Sequence, residues 1–279
     1  MSKRDPRPSS VTDIVQTATR SSFDLRLRNL SLVIVVLLTV RPSDRPTVAQ
    51  SRPISDNSFL IEEAYNQEPG VVQHISAWQR TLSSAAWAYT FTQEWPVGTQ
   101  AHQLSYTILL HRTESPSRTG LGDAALNYRY QLRRADARVA IAPRLSLILP
   151  TGSSPRGLGT GHVGAQLSVP VSVLLVPSLV SHWNAGVTAV PRTTTYNLGA
   201  SVIWLARPTF NMLVEVVWTA QSDGTESFVV SPGIRWAHNF ASGLQIVPGI
   251  AFPLDVGPFL YLSFEHRFRG PRGVVNSNN

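Results

Sequence analysis

The chain has 279 residues, 15% charged and 43% hydrophobic, with a formal net charge of +7 and no cysteine. Ordinary soluble domains carry about 25% charged residues, and the lack of cysteine excludes a disulfide scaffold and any thiolate metal site. Eight of the basic and four of the acidic side chains fall within residues 1–49; the other arginines are scattered, so the clustered basic face that nucleic-acid binding needs does not form.

Residues 30–40 read LSLVIVVLLTV behind Arg26 and Arg28. The run is shorter than the roughly twenty apolar residues a spanning helix needs and fits the core of a signal peptide. Thr47-Val48-Ala49 offers a cleavage site before Gln50, so 1–49 reads as a signal peptide; an inner-membrane anchor is the alternative. Residues 50–70 form a short N-terminal segment. Within it, SFLIEEAYNQ (58–67) is expected to make a short helix capped by Asn57 or Ser58, a periplasmic lead-in, an extra strand, or a plug in a lumen. In the plug reading Glu62, Glu63 and Tyr65 lie inside, with the carboxylates meeting interior arginines.

From residue 71 onward the dominant signal is alternation with period two. In 124–133, Leu126, Tyr128, Tyr130 and Leu132 oppose Asn127, Arg129, Gln131 and Arg133. In 228–236, Phe228, Val230, Ile234 and Trp236 oppose Ser231, Gly233 and Arg235. The runs last about ten residues or more, the length a tilted strand needs to cross a bilayer, whereas strands of soluble proteins centre on five or six. Turn residues bound them as strands at 71–79, 85–95, 101–112, 122–133, 137–150, 162–175, 178–190, 194–206, 209–221, 226–237, 242–254 and 258–268. Twelve is an even number, as in bacterial barrels. The expected fold is all-β: an antiparallel up-and-down transmembrane β-barrel over 71–268 with a tail at 269–279.

Local bulges are expected at Pro143, Pro170, Pro232 and Pro248, since proline cannot donate to a ladder. With both termini periplasmic, the long connections at 112–120 and 150–161 face outward and short ones such as 133–136 and 206–209 face inward. Trp95, Trp204 and Trp236 fall near predicted periplasmic strand ends and Trp78 and Trp218 near extracellular ones, the pattern aromatic girdles produce, while Trp87 and Trp183 fit it less cleanly. The last strand, FLYLSFEHRF (259–268), ends in an aromatic residue and resembles the signal read by outer-membrane assembly machinery.

SDNSFLIEEAYNQEPGVVQHIS at 55–76, GLGD at 120–123 and LILPTGSSPRGLGTG at 147–161 resemble the motifs of the MetA-pathway phenol-degradation family of transporter-like outer-membrane barrels. The resemblance runs from about Asp56 to Phe268. It implies an outer-membrane channel, with small hydrophobic or aromatic solutes suggested by the family's name.

Arg129, Arg144, Glu215, Arg235, Glu265 and Arg267 fall on polar strand faces. They are expected either to line a pore and bias its solutes or to form a self-neutralising network supporting the wall. Seven histidines invite an enzyme search, yet there is no GxSxG, no HExxH and no histidine pair at i, i+4. The expectation is a channel in the bacterial outer membrane, with no catalytic residues, cofactor or metal. Its partners would be outer-membrane lipid, a small-molecule solute and the assembly machinery, not nucleic acid. An outer-membrane hydrolase or acyl-modifying enzyme, and a structural barrel with a blocked lumen, are the alternatives.

Overall fold

Strands with one apolar and one polar face pair so that like faces meet, because a one-residue slip would exchange the faces. The computed structural model describes residues 54–242 and 244–267. The proposed leader, Phe268 and the tail at 269–279 lie outside the described residues. The strands in the first half are β1 (Val71–Arg80), β2 (Trp87–Val97), β3 (Thr99–Glu114), β4 (Ser117–Leu121), β5 (Ala124–Tyr130), β6 (Val139–Ile141) and β7 (Arg144–Leu149). Those in the second half are β8 (Gly164–Val176), β9 (Leu179–Val190), β10 (Thr193–Arg207), β11 (Phe210–Gln221), β12 (Glu226–Trp236), β13 (His238–Asn239), β14 (Gln245–Ala251) and β15 (Phe259–Arg267).

All pairings are antiparallel, and the order closes: β1 pairs with β2 on one side and β15 on the other, while β12 pairs with β14. β4 and β5 both pair with β3, β6 and β7 both pair with β8, and β13 continues β12 along β14, so each couple is one interrupted strand. The wall is therefore a closed antiparallel barrel of twelve strands. Closure leaves no free edge along the main path of the wall, and β4, which pairs with β3 alone, is a one-sided extension at the rim.

The faces are inverted relative to a soluble barrel. Gln73, Gln103, Asn127, Ser146, Ser168, Ser201, Glu215 and Ser231 are buried, whereas Leu104, Leu126, Leu145, Leu167, Leu198, Phe228 and Leu260 are exposed. A band of exposed leucine around the wall is costly in water and favourable in hydrocarbon, where a barrel also satisfies its whole backbone. The fold is that of a transmembrane barrel.

Several local expectations are corrected. The 112–120 connection is mostly strand: β3 runs to Glu114 and β4 starts at Ser117, with register maintained from Glu114↔Ser117 to Leu110↔Leu121. The strand expected at 122–133 breaks at Gly122-Asp123, where Asp123 turns its carboxylate to the 150–161 loop. The strand expected at 242–254 stops at Ala251.

Pro143 does sit in an irregularity, the pairing slipping by one residue between Arg129↔Arg144 and Arg133↔Ile141, but the other three prolines do not bulge their strands. Register is continuous through Pro170, Pro232 and Pro248, and the other register shifts fall at Pro96/Val97, Leu174/Val176 and Trp204/Arg207. Each proline's missing N–H faces an interruption in one neighbour. Pro170 lies beside the Ala142-Pro143 break, Pro232 beside the end of β14, and Pro248 beside the gap between β12 and β13. A strand in a closed wall bonds to two neighbours, so losing one donor where that neighbour is absent costs little.

Residues 58–67 are not helical. The only helical turn among the described residues is a 3-10 turn at Ser154–Arg156 in the 150–161 loop. The physical reason lies in where the N–H groups of the segment go.

Candidate functional site

A segment inside a barrel cannot leave its backbone polar groups unpaired, because no bulk water reaches them. Residues 54–70 run through the lumen and meet that demand with side chains of the wall. Ile54 donates its N–H to the Pro208 carbonyl (2.7 Å) in the β10–β11 turn, at the end carrying the short turns. From there the chain climbs to Phe59 and Leu60, which pack against Phe259 of β15 and against Val256 from the loop ahead of it. It then returns to the short-turn end, where Asn66 and Gln100 bond reciprocally, each side-chain amide donating to the other's carbonyl at 2.9 Å. Gly70, with φ of 81°, turns the chain into β1, a conformation that glycine adopts without a steric penalty.

Glu215 of β11 is the principal anchor. Its Oε1 accepts the N–H groups of Phe59, Leu60 and Ile61 at 3.0, 2.7 and 3.0 Å. Three successive N–H groups converging on one oxygen form an anion-binding concavity of the backbone. Asn184 holds the next residue at both groups, accepting from Glu62 N at 2.7 Å and donating to Glu62 O at 2.9 Å. Gln131 accepts from Asn66 N and donates to Ala64 O. Arg235 donates to the carbonyl of Asn57 at 2.5 Å and more weakly to that of Ser55 at 3.3 Å.

Arg129 and Arg144 are directly opposed across β5 and β7, an arrangement that repels unless an anion lies between them. Glu62 supplies it, with Oε1 2.6 Å from Arg144 Nη2 and Oε2 3.4 Å from Arg129 Nη2. Glu63 is 4.0 Å from Arg129 Nη1. Burial pushes the Glu63 carboxyl up to about 7, with Arg129 pulling it down and Glu94 adding to the rise. Arg129 also donates to the Tyr65 carbonyl at 3.0 Å, while the Tyr65 hydroxyl donates to Asp56 at 3.3 Å.

The expected site residues therefore separate. Arg129, Arg144, Glu215 and Arg235 line the lumen and touch the threaded segment, and Glu62, Glu63 and Tyr65 lie within it. Glu265 is buried on the inner face of β15, opposite Gln73 and Gln245. Arg267 is not in the lumen: it lies exposed at the short-turn rim, 3.3 Å from Glu68.

Sequence reasoning passed over Asn184, Ser172, His182, Gln131 and Gln103, which together bind five residues of the segment. All stand on polar strand faces, where an uncharged side chain that binds another segment looks the same as one that merely lines the wall. It also passed over Gly199, Gly233 and Gly249, whose place on inner faces signals close approach by another backbone or side chain. A Cβ at Gly233 or Gly249 would come within 2.6 or 2.7 Å of the Phe59 ring, and one at Gly199 would collide with Ile61.

Ser172 and His182 form a buried pair at 2.7 Å, the kind of contact an esterase would use. Here Ser172 also accepts the Ala64 N–H at 2.8 Å, and the other ring nitrogen of His182 contacts the Asp56 carbonyl at 2.9 Å. Both side chains hold the segment, and the pair presents no open face to a substrate.

At the opposite end, Asp123 ties two glycine-rich stretches together. Its carboxylate accepts from Gly152 N at 3.0 Å, and from Thr160 N and Oγ1 at 2.7 Å each. Leu158 is drawn inward, where its carbonyl meets buried His111 at 3.2 Å. GLGD and PTGSSPRGLGTG are thus two halves of one loop clasp.

No family model matches the chain, and no curated protein matches it. Solved structures do. The KdgM porin superposes with a TM-score of 0.50 at 8% identity, over 71% of this chain and 99% of the porin. An outer membrane channel from Pseudomonas putida F1 superposes with a TM-score of 0.52 at 14% identity, over 74% of this chain and 98% of that one. At such identities the likeness is one of fold.

Proposed function

We propose that this chain, which shares its fold with outer-membrane channels, works as one: a channel for small solutes whose lumen is closed by its own residues 54–70. One observation carries the reading. The lumen is lined mainly by polar and charged side chains with an apolar patch around Phe259, and what fills it is the segment 54–70, held largely by side-chain hydrogen bonds, with no strand ladder to the wall. A packed hydrophobic core could not be vacated without unfolding; this occupant can leave while the barrel ladder stays whole.

The reading places the protein in the bacterial outer membrane, with lipid against Leu126, Leu260 and their neighbours and the short-turn end towards the periplasm. Residues 1–49 are then a signal peptide, 50–70 a plug, 71–268 the barrel and 269–279 a tail, and the last strand is what the assembly machinery reads. The resemblance to the phenol-degradation family points to hydrophobic or aromatic solutes. The porin and channel relatives by fold favour transport over catalysis.

The filled lumen favours one rival, a structural barrel with a permanently blocked interior. Planar-bilayer recording of the refolded full-length protein separates the two. The channel reading expects brief openings that become stable when the segment's anchors are weakened. Absence of conductance from both the native chain and such variants would leave the structural reading.

A further inference from the structure

Most hydrogen bonds between the lumen wall and residues 55–67 reach main-chain atoms. Glu215 takes three N–H groups, Asn184 and Gln131 each hold an N–H and a C=O, and Ser172 and Gln103 take one N–H each. Arg129, Arg235 and Asn211 donate to the carbonyls of Tyr65, Asn57 and Ser55. Main-chain recognition of this kind gives affinity without depending on the sequence bound, and pockets for a few side chains give the specificity.

Two such pockets exist. The Phe59 ring sits over the bare backbone of Gly233 and Gly249, with the Phe259 and Tyr261 rings 5.5 and 5.3 Å away. Three positions on, the Glu62 carboxylate lies between Arg129 and Arg144. The segment's other polar side-chain contacts with the wall are few: Ser58–Ser201, Gln67–Gln73, Asn66 with the Gln100 carbonyl, and Glu63 beside Arg129.

We propose that the lumen is a binding site for bent, non-helical peptides carrying an aromatic residue and, three positions later, an acid, and that residues 55–67 are its tethered occupant. The proposal rests on the reading of this segment as a displaceable plug. A tethered occupant acts at about millimolar effective concentration, so it holds the site with modest intrinsic affinity, and a free peptide of the same pattern takes the site when the tethered copy is weakened.

The test uses the full-length chain with Phe59→Gly and Glu62→Gln, which spoils the occupant and leaves the wall intact. Heat-modifiable gel mobility checks its folding, and Phe59→Gly alone is the milder second variant. A fluorescent peptide, SDNSFLIEEAYNQ, is titrated by anisotropy, and bilayer conductance is recorded in parallel. Saturable binding is expected, retained within about tenfold when residues other than the phenylalanine and the first glutamate are exchanged for alanine. Binding at least about tenfold weaker is expected for a scrambled peptide and for the native chain, whose own segment competes. No saturable binding to either variant, or equal binding of the scrambled peptide, overturns the proposal. Peptide binding without conductance in any variant would overturn the channel reading and leave the binding site standing.

Discussion

Glu215 and Leu60, 155 positions apart in sequence, are joined by a 2.7 Å hydrogen bond from the Leu60 N–H to the Glu215 carboxylate. The same oxygen serves the N–H groups on either side, so removing one side chain orphans three buried donors. Glu215→Ala is expected to weaken docking of the segment by about 3 kcal/mol, raising the open probability roughly a hundredfold. Bilayer recording measures it. Unchanged gating would show that the segment is held elsewhere.

Glu62 neutralises two arginines that face each other across adjacent strands. Glu62→Gln leaves Arg129 and Arg144 buried without their shared anion, at a cost of about 3 kcal/mol or more. Arg144→Ala in the same chain should recover part of that loss, because the like-charge contact disappears with it. A double-mutant cycle on thermal midpoints checks the sign of the coupling; simple additivity would contradict the bridge.

Gating should depend on pH through Glu63, whose carboxyl burial has pushed up to about 7 from 4.5. Between those values the docked segment holds a proton that the undocked one has lost. Docking is therefore at full strength below about pH 4.5 and weakens as pH rises through 7. Open probability is expected to rise between pH 5 and 8, and Glu63→Gln should flatten the response. A rise on acidification would reverse the assignment.

The loop clasp is independent of the plug. Asp123→Ala removes the acceptor for three donors in 152–160 and should cost about 2–3 kcal/mol of local stability. Limited proteolysis is expected to nick 150–161 faster, while peptide binding and gating stay as they were. Equal nicking rates in both chains would argue that the loop is held by its other contacts, such as Arg118 with the Pro155 carbonyl and His111 with the Leu158 carbonyl.

Leu260 is 46% exposed on the outer face of β15. Leu260→Arg should cost about 2–4 kcal/mol if that face meets hydrocarbon, and almost nothing if it meets water. Denaturant midpoints in lipid vesicles, compared with those of a rim change such as Arg267→Ala, decide it.

Much of the wall was legible because alternation is a local property. The run from Leu126 to Leu132 declares its two faces in consecutive residues, so strand number follows from turn chemistry, while limits such as those of β5 and β14 shift by a few residues. The threaded segment was not legible in the same way. SFLIEEAYNQ has helix-forming residues and a capping serine, and it stays non-helical because Glu215, Asn184 and Ser172, all more than 100 positions away, take the N–H groups a helix would have used. Likewise Arg267 shares a face with Glu265 yet escapes the lumen, since two residues along a strand carry it past the rim.

Residue order alone fixes the chain from residue 71 onward as a series of long, two-faced strands, even in number. That much lies in neighbouring residues. The direction of the faces was decided only in the closed barrel, because period two is the same whether leucine points in or out. What fills the lumen was decided there too: contacts such as Glu62 with Arg129 and Arg144 depend on three segments that only closure of the twelve strands brings together.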